Sequence, residues 1–288
     1  MKPPPFAYVG AHSLEEAVEA LREHGDDAKV LAGGQSLMPM LNLRLARPAV
    51  VVDINGVSGL DGVDDHGDVL CLGALVRQRG LERWAAQRAP LLAAALRLVG
   101  HAAIRNRGTV AGSVSHADPA AELPALLLAL DGSAVVRSAA GERTIPAGEL
   151  FLGPLTTALR SDEIVVETRW TLPPERSGWG FHEVARRHGD FALVGCVAVV
   201  RGARERIESS RLALFGVGPT PVRARAAEQA LAGLAPTAER IGEAARLAAE
   251  GVAPDSDLHA TASYRRRVAG VLVERALRDA VERATEAP

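Results

Sequence analysis

Lys29-Val30-Leu31-Ala32-Gly33-Gly34-Gln35-Ser36-Leu37 decides how the rest of the chain is read. The apolar pair Val30-Leu31 leads into two adjacent glycines, and Leu37-Met38-Pro39-Met40-Leu41 follows as a helix start. With no Cβ on either glycine, a polyanion can approach the backbone, whose amides then face outward. The letters fit a diphosphate cradle between a buried strand and a helix, and they fit an ordinary strand-to-helix turn as well. Thr109-Val110-Ala111-Gly112-Ser113 repeats the pattern after another apolar segment, with small residues and hydroxyls where amides can converge on phosphate. Two such loops suggest a dinucleotide held between them. Neither is Gly-x-Gly-x-x-Gly or Gly-x-x-x-x-Gly-Lys-Ser/Thr, so the expected fold is neither the Rossmann type nor a P-loop nucleoside triphosphatase.

The 288 residues, 48% of them hydrophobic, suit about two globular domains with ample core. A net charge of -2 gives no electrostatic footprint for nucleic acid or an anionic membrane, so any polyanion site is local. The two cysteines, Cys71 and Cys196, lie in separate apolar runs and suffice neither for an iron-sulfur cluster nor for a four-thiolate zinc site. They read as core thiols. No apolar run is long enough to span a bilayer, and Met1-Lys2-Pro3-Pro4-Pro5 lacks the apolar stretch of a signal peptide. The expectation is a cytoplasmic chain without membrane insertion.

Ser13-Leu14-Glu15-Glu16 matches a capping box and opens a first helix that runs to about Gly25. Strands at 29–31 and 50–53, with a helix between them to about Leu43, make a small parallel βαβ unit. Beyond Leu60 the spacing predicts a hairpin through Asp65-His66-Gly67, helices at 81–87 and 90–99, and a buried helix over 120–130. A second hairpin through Ala140-Gly141 and a strand at 164–172 complete this half. Pro173-Pro174-Glu175-Arg176-Ser177-Gly178 reads as the linker. Three strands, at 179–185, 193–201 and 212–217, then precede helices at 223–231, 237–249 and 264–283, which indicates a separate α+β domain.

Residues 32–37, Ile104-Arg105-Asn106-Arg107-Gly108-Thr109-Val110-Ala111-Gly112-Ser113 and His116-Ala117-Asp118-Pro119-Ala120-Ala121-Glu122-Leu123-Pro124 together resemble the two FAD-binding signatures of the medium subunit of molybdenum hydroxylases. That family includes the flavoproteins of aerobic carbon monoxide dehydrogenase and xanthine dehydrogenase. The resemblance continues through Phe151-Leu152-Gly153-Pro154, Gly189-Asp190-Phe191-Ala192-Leu193-Val194-Gly195 and Tyr264-Arg265-Arg266-Arg267, and so covers almost the whole chain. It implies an α+β protein. A vanillyl-alcohol-oxidase-type (PCMH-like) FAD-binding domain would occupy residues 1–176, with a βαβ lobe at 1–56 and a larger lobe at 57–176. A carbon monoxide dehydrogenase flavoprotein-like C-terminal domain at 177–288 would carry a three-stranded antiparallel sheet with helices.

The resemblance also implies roles. Ala32, Gly33, Gly34, Gln35, Ser36 and Leu37 would hold the diphosphate, with Gln35 donating from its side chain. Thr109, Ala111, Gly112 and Ser113 would form the second loop, helped by Arg105 or Arg107, with Ile104 and His101 at its approach, His101 reading equally as a helix cap. Relatives more often have Gly-Gly where this chain has Ala111-Gly112, and an alanine there costs about 1 kcal/mol if the position requires positive φ. Glu122 would accept hydrogen bonds from cofactor hydroxyls, while Asp118 reads as a helix cap. Leu159 and Phe191 would lie near the isoalloxazine ring, each reading equally as a core residue. Glu183 falls where some relatives have a lysine, and His182 is the neighbour that would supply positive charge there. His116 and Asp118 are two donors short of a tetrahedral set, so no metal is expected in this chain.

The implied function is electron transfer through non-covalently bound FAD within a dimer of heterotrimers. A large subunit would carry molybdopterin, a small subunit two [2Fe-2S] clusters, and NAD, a quinone or oxygen would receive the electrons. No hydrolytic signature is present, so the protein's part is to hold a cofactor that carries the chemistry. A self-sufficient flavin oxidoreductase and a non-catalytic flavin-binding scaffold are the alternatives.

Overall fold

The computed structural model describes residues 1–202 and 205–286. Strand β1 (Ala7–Gly10) and the capped helix α1 (Leu14–His24) lead to β2 (Ala28–Leu31), helix α2 (Leu37–Asn42) and β3 (Val50–Asp53). The capping box forms as expected: the Glu16 amide donates to Ser13 Oγ, and Glu16 Oε2 accepts from the His12 amide. The sheet order is β1-β3-β2, all parallel, with Val50 between Ala7 and Ala28. The sequence reading contains only the β2-α2-β3 unit. Strand β1 escapes it because its four residues are mostly exposed and follow three prolines, leaving no apolar period to detect.

A five-stranded antiparallel sheet follows, with order β4-β5-β10-β6-β7, from β4 (Val63–Asp65), β5 (Val69–Gly73), β6 (Ser133–Ser138), β7 (Gly141–Pro146) and β10 (Ile164–Thr171). Between β5 and β6 run α3 (Gln78–Arg88), α4 (Pro90–Leu98), α5 (Ala102–Arg107), α6 (Val110–His116) and α7 (Glu122–Ala129). The short α8 (Ala147–Leu150) and the small ribbon β8 (Phe151–Gly153) and β9 (Thr156–Thr157) precede β10. Every residue of α7 is buried, in keeping with its apolar letters on all sides.

The C-terminal sheet is β11 (Ser177–Ala185), β12 (Ala192–Arg201), β13 (Ser209–Phe215) and β14 (Val222–Arg223), antiparallel throughout. It has four strands where the sequence suggests three. The fourth is two residues long, too short for a period-2 pattern to show. Helices α9 (Arg225–Leu231), α10 (Ala238–Glu250) and α11 (Ala262–Glu286) follow it. Val194, Cys196, Ala198 and Val200 of β12 join the helices in one apolar cluster, while Val197 and Val199 join the core of the preceding half. Burial on both faces explains why β12 reads as a continuous apolar run.

Helix α11 lies directly on β11. A Cβ at Gly180 would stand 2.1 Å from the Ala276 carbonyl oxygen, and one at Gly178 would stand 1.9 Å from that of Ala280. Gly180→Ala is expected to cost about 1–3 kcal/mol by forcing the helix off the sheet. Thermal melting checks this: the variant should melt several degrees below the parent. No helix among the described residues is long and apolar enough to cross a membrane.

Candidate flavin site

Residues 32–37 and 108–113 meet across one cleft of about 510 Å³, within the size range of cofactor pockets. The first loop leaves β2 and enters α2. The amides of Gly33, Gly34, Gln35 and Ser36 find no acceptor among the described residues. Gly34 has φ +74°, a conformation that glycine adopts without strain. Gly33 is demanded by something else. A Cβ there would lie 2.6 Å from the Arg107 carbonyl oxygen and 2.8 Å from Gly108 Cα, so the missing side chain admits the second loop. Gln35 Nε2 donates to the Gly33 carbonyl at 3.1 Å, which turns that side chain back onto its own loop instead of leaving it free for a ligand. Helix α2 has only six residues and includes Pro39, so free amides, more than a helix dipole, supply the positive potential.

In the second loop Thr109 is the N-cap of α6, and its Oγ1 accepts from the Gly112 amide at 3.0 Å. Ser113 donates to the Thr109 carbonyl and Val110 to that of Val76. This leaves the amides of Thr109 and Ala111 without an acceptor among the described residues. Ala111 sits inside α6, is buried and is absent from the positive-φ residues, so alanine carries no backbone strain there. The glycine that matters is Gly112, where a Cβ would stand 2.6 Å from Thr109 Oγ1. Gly112→Ala is therefore expected to break the cap at a cost of about 1 kcal/mol, with Thr109→Ala giving a loss of similar size. Urea titration of each variant measures it.

The cleft wall also includes Ile104, Glu122, Leu159 and Phe191, the last 63% exposed at the rim. His101 and Glu183 do not line it. His101 packs instead against Gly189, whose Cβ would meet the imidazole at 2.6 Å, and its ring lies 6.2 Å from that of His188. Arg105 turns inward: its Nε donates to Glu82 Oε2 at 3.0 Å and its Nη1 to the carbonyls of Val99 and Gly100, so it is no phosphate ligand. Asp118 closes a turn onto the Ala120 amide at 2.8 Å, ahead of α7, whose N-cap is Ala121.

Glu122 opens α7 and is only 6% exposed. Burial, followed by the charge of Glu183, pushes its carboxyl up to about 8. Burial alone lifts Glu183 to about 7, and its Oε2 has no partner among the described residues. His182 does not face Glu183. Neighbours on a strand point to opposite sides, and His182 Nε2 instead meets Asp279 Oδ2 of α11 at 3.0 Å. Positive charge beside Glu183 therefore does not come from His182.

Sequence reasoning missed Gln78 in the cleft wall, whose buried Oε1 has no donor among the described residues while its Nε2 donates to the Thr109 carbonyl at 3.3 Å. An acceptor lacking its donor suits a ligand rich in hydroxyls or N–H groups. FAD fits the walls: free amides for a diphosphate, Gln78 and Glu122 for hydroxyls or ring N–H, and Leu159 and Phe191 for an apolar ring.

The family profile described as FAD binding domain in molybdopterin dehydrogenase matches residues 4–170, and that described as CO dehydrogenase flavoprotein C-terminal domain matches 179–280. Subunit alpha of the 6-hydroxypseudooxynicotine dehydrogenase complex of Paenarthrobacter nicotinovorans is 41% identical over 99% of this chain and 97% of its own. The carbon monoxide dehydrogenase medium chain of Hydrogenophaga pseudoflava is 38% identical over 96% and 97%. A solved structure of carbon monoxide dehydrogenase from that organism superposes with a TM-score of 0.95 at 40% identity, covering 98% of this chain and 99% of the other. Quinoline 2-oxidoreductase from Pseudomonas putida 86 superposes with a TM-score of 0.93 at 35% identity, covering 99% of each. Profiles, full-length relatives and the two-loop cleft agree: the chain belongs to the FAD-binding medium subunits of the molybdenum hydroxylase family.

Proposed function

We propose that this chain holds one FAD, without a covalent bond, in the cleft between residues 32–37 and 108–113, and that it relays electrons within a molybdenum hydroxylase. The observation that carries this reading is the meeting, at one cleft of cofactor size, of two loops several of whose amides lack acceptors among the described residues. Bound FAD supplies reversible oxidation and reduction. Everything else falls to the chain. The amides of Gly33, Gly34 and Ser36, with those of Thr109 and Ala111, hold the diphosphate; Ser36 and Ser113 add hydroxyls, and Ala32 and Leu37 frame the loop. Glu122 and Gln78 take up hydrogen bonds from the cofactor, Ile104, Leu159 and Phe191 exclude water from the ring, and His101 supports the rim through Gly189.

Electrons arrive from [2Fe-2S] clusters on a small partner subunit, fed by molybdopterin on a large one, and leave to NAD, a quinone or oxygen. The oxidised substrate is bound elsewhere in the complex, in the cytoplasm. The chain divides near residue 176 into a flavin-binding part, with lobes 1–56 and 57–176, and a C-terminal part. Titrating the flavin-free chain with FAD tests the reading: one FAD per chain with a shifted flavin spectrum is expected, with weaker binding of FMN, which lacks the diphosphate bridge. A chain that stays colourless in excess FAD overturns it. Co-purification with iron-sulfur and molybdopterin subunits tests the assembly.

A further inference from the structure

The contact between the two loops is pinned from outside the cleft. Asn55, just after β3, donates from Nδ2 to the Ala32 carbonyl at 2.9 Å, one residue before Gly33. Arg77, at the N-cap position of α3, donates from Nη2 to Asn55 Oδ1 at 2.5 Å and from Nη1 to the Arg107 carbonyl at 2.5 Å. That Arg107 oxygen is the atom a Cβ at Gly33 would meet. The two side chains thus join a carbonyl of each loop at their point of closest approach, and link the parallel sheet to the segment that leaves the antiparallel one.

The orientation of Asn55 is forced. Its Nδ2 also lies 2.6 Å from Asp53 Oδ1, while Asp53 Oδ2 accepts from the Tyr8 hydroxyl at 2.8 Å. A flipped amide would set Oδ1 against a carbonyl and a carboxylate and turn donors toward the Arg77 guanidinium. Arg77 serves two acceptors at once through the planar fork of its guanidinium, a geometry that a lysine ammonium does not reproduce. Neither Asn55 nor Arg77 lines the cleft, so they reach a ligand only through the loops they hold.

We propose that Asn55 and Arg77 form a clasp that sets the spacing of the two loops and are positioning residues for FAD binding, an inference that rests on the flavin reading above. Asn55 is exposed and Arg77 half-buried, and neither belongs to the apolar core, so breaking the clasp leaves that core in place and loosens the cradle. The loops of a variant sample wider spacings in the free chain, and FAD must draw them together again.

The test is FAD titration and FAD release from the full chain, with the melting temperature of the flavin-free protein measured in parallel. Arg77→Ala and Asn55→Ala are each expected to raise the Kd about tenfold, about 1.4 kcal/mol, because binding must then draw the loosened loops together. Faster release should account for most of it, and the melting temperature of the flavin-free protein should fall by no more than a few degrees. The double variant is expected to bind as the single ones do, since a clasp opened at either end is open. Arg77→Lys keeps the charge but lacks the fork, and is expected to bind as weakly as Arg77→Ala. Single variants that bind like the parent, effects that add in the double variant, or full rescue by lysine would each overturn the clasp while leaving the flavin site standing. A parent chain that takes up no FAD overturns both.

Discussion

Gly33→Ala is expected to weaken FAD binding about 10- to 100-fold while leaving secondary structure and the C-terminal sheet unchanged. The added methyl has nowhere to go: its three nearest atoms are the Arg107 carbonyl oxygen at 2.6 Å, Gly108 Cα at 2.8 Å and the Thr109 amide nitrogen at 3.0 Å, all backbone. A flexible side chain would swing aside, whereas two backbones must separate. Overpacking of this kind costs about 1–3 kcal/mol, and each 1.4 kcal/mol of it that binding must repay is a factor of ten in Kd. The separation also carries the amides of Gly33 and Thr109 apart, so the cost falls on the bound state. Gly34→Ala supplies a comparison, since only the side chains of Leu31 and Met38 crowd the added methyl, so its penalty comes chiefly from φ +74° and is nearer 1 kcal/mol. Gly80→Ala is the control: beyond its own helix, a Cβ there meets nothing within 4 Å among the described residues, so binding should stay at the parent value. Flavin fluorescence titration ranks the three, and equal affinity for Gly33→Ala and Gly80→Ala would show that the loops need not touch.

The location of the site was legible from the glycines and from Thr109, but the reasons were only partly so. Gly33 reads as clearance for a ligand, and the structure shows clearance for a second piece of backbone 74 residues further on, a contact that no local pattern encodes. Ala111 looks like a departure that distorts its loop. Once α6 is seen to begin at Val110, it is an ordinary helical residue, and the constraint passes to Gly112 through the Thr109 cap. Arg105 carries the charge expected of a phosphate ligand, yet Glu82, 23 residues earlier, claims it. Asn55 and Arg77 gave no signal at all, because single polar residues beside a strand and a helix start are commonplace and their meaning lies in a tertiary junction. The long elements were easier. The capping box of α1, the both-faces-apolar β12 and the two hairpins follow from local propensity, turn residues and burial, which short strands such as β1 and β14 are too brief to display.

Stability of the flavin-free chain is expected to fall as the pH rises from neutral to about 8, and Glu122→Gln is expected to remove most of that slope. Glu122 sits in the first turn of α7, where the helix end favours a carboxylate, but burial at 6% exposure and the neighbouring Glu183 outweigh it. The carboxyl is raised from 4.5 to about 8 in the folded chain. Between those values the folded state holds a proton that the unfolded state has released, so unfolding stability drops by about 1.4 kcal/mol per pH unit and levels off above the folded value. Over the whole interval the loss for this one group is roughly 5 kcal/mol. Glu183, raised to about 7, steepens the lower part of the range. His116 works the other way: burial holds its imidazole below the usual 6.5, so protonation of the unfolded chain lowers stability on the acid side. The window between pH 7 and 8 is therefore where Glu122 stands most nearly alone. Paired carboxylates such as Glu163, held low chiefly by Arg143, contribute only in more acidic solution. Urea unfolding of the parent and Glu122→Gln across this window measures the slope directly. A neutral amide at 122 has no proton to lose, so the variant should gain on the parent with every step toward pH 8, and parallel curves would mean that Glu122 is already ionised in the folded protein at neutral pH.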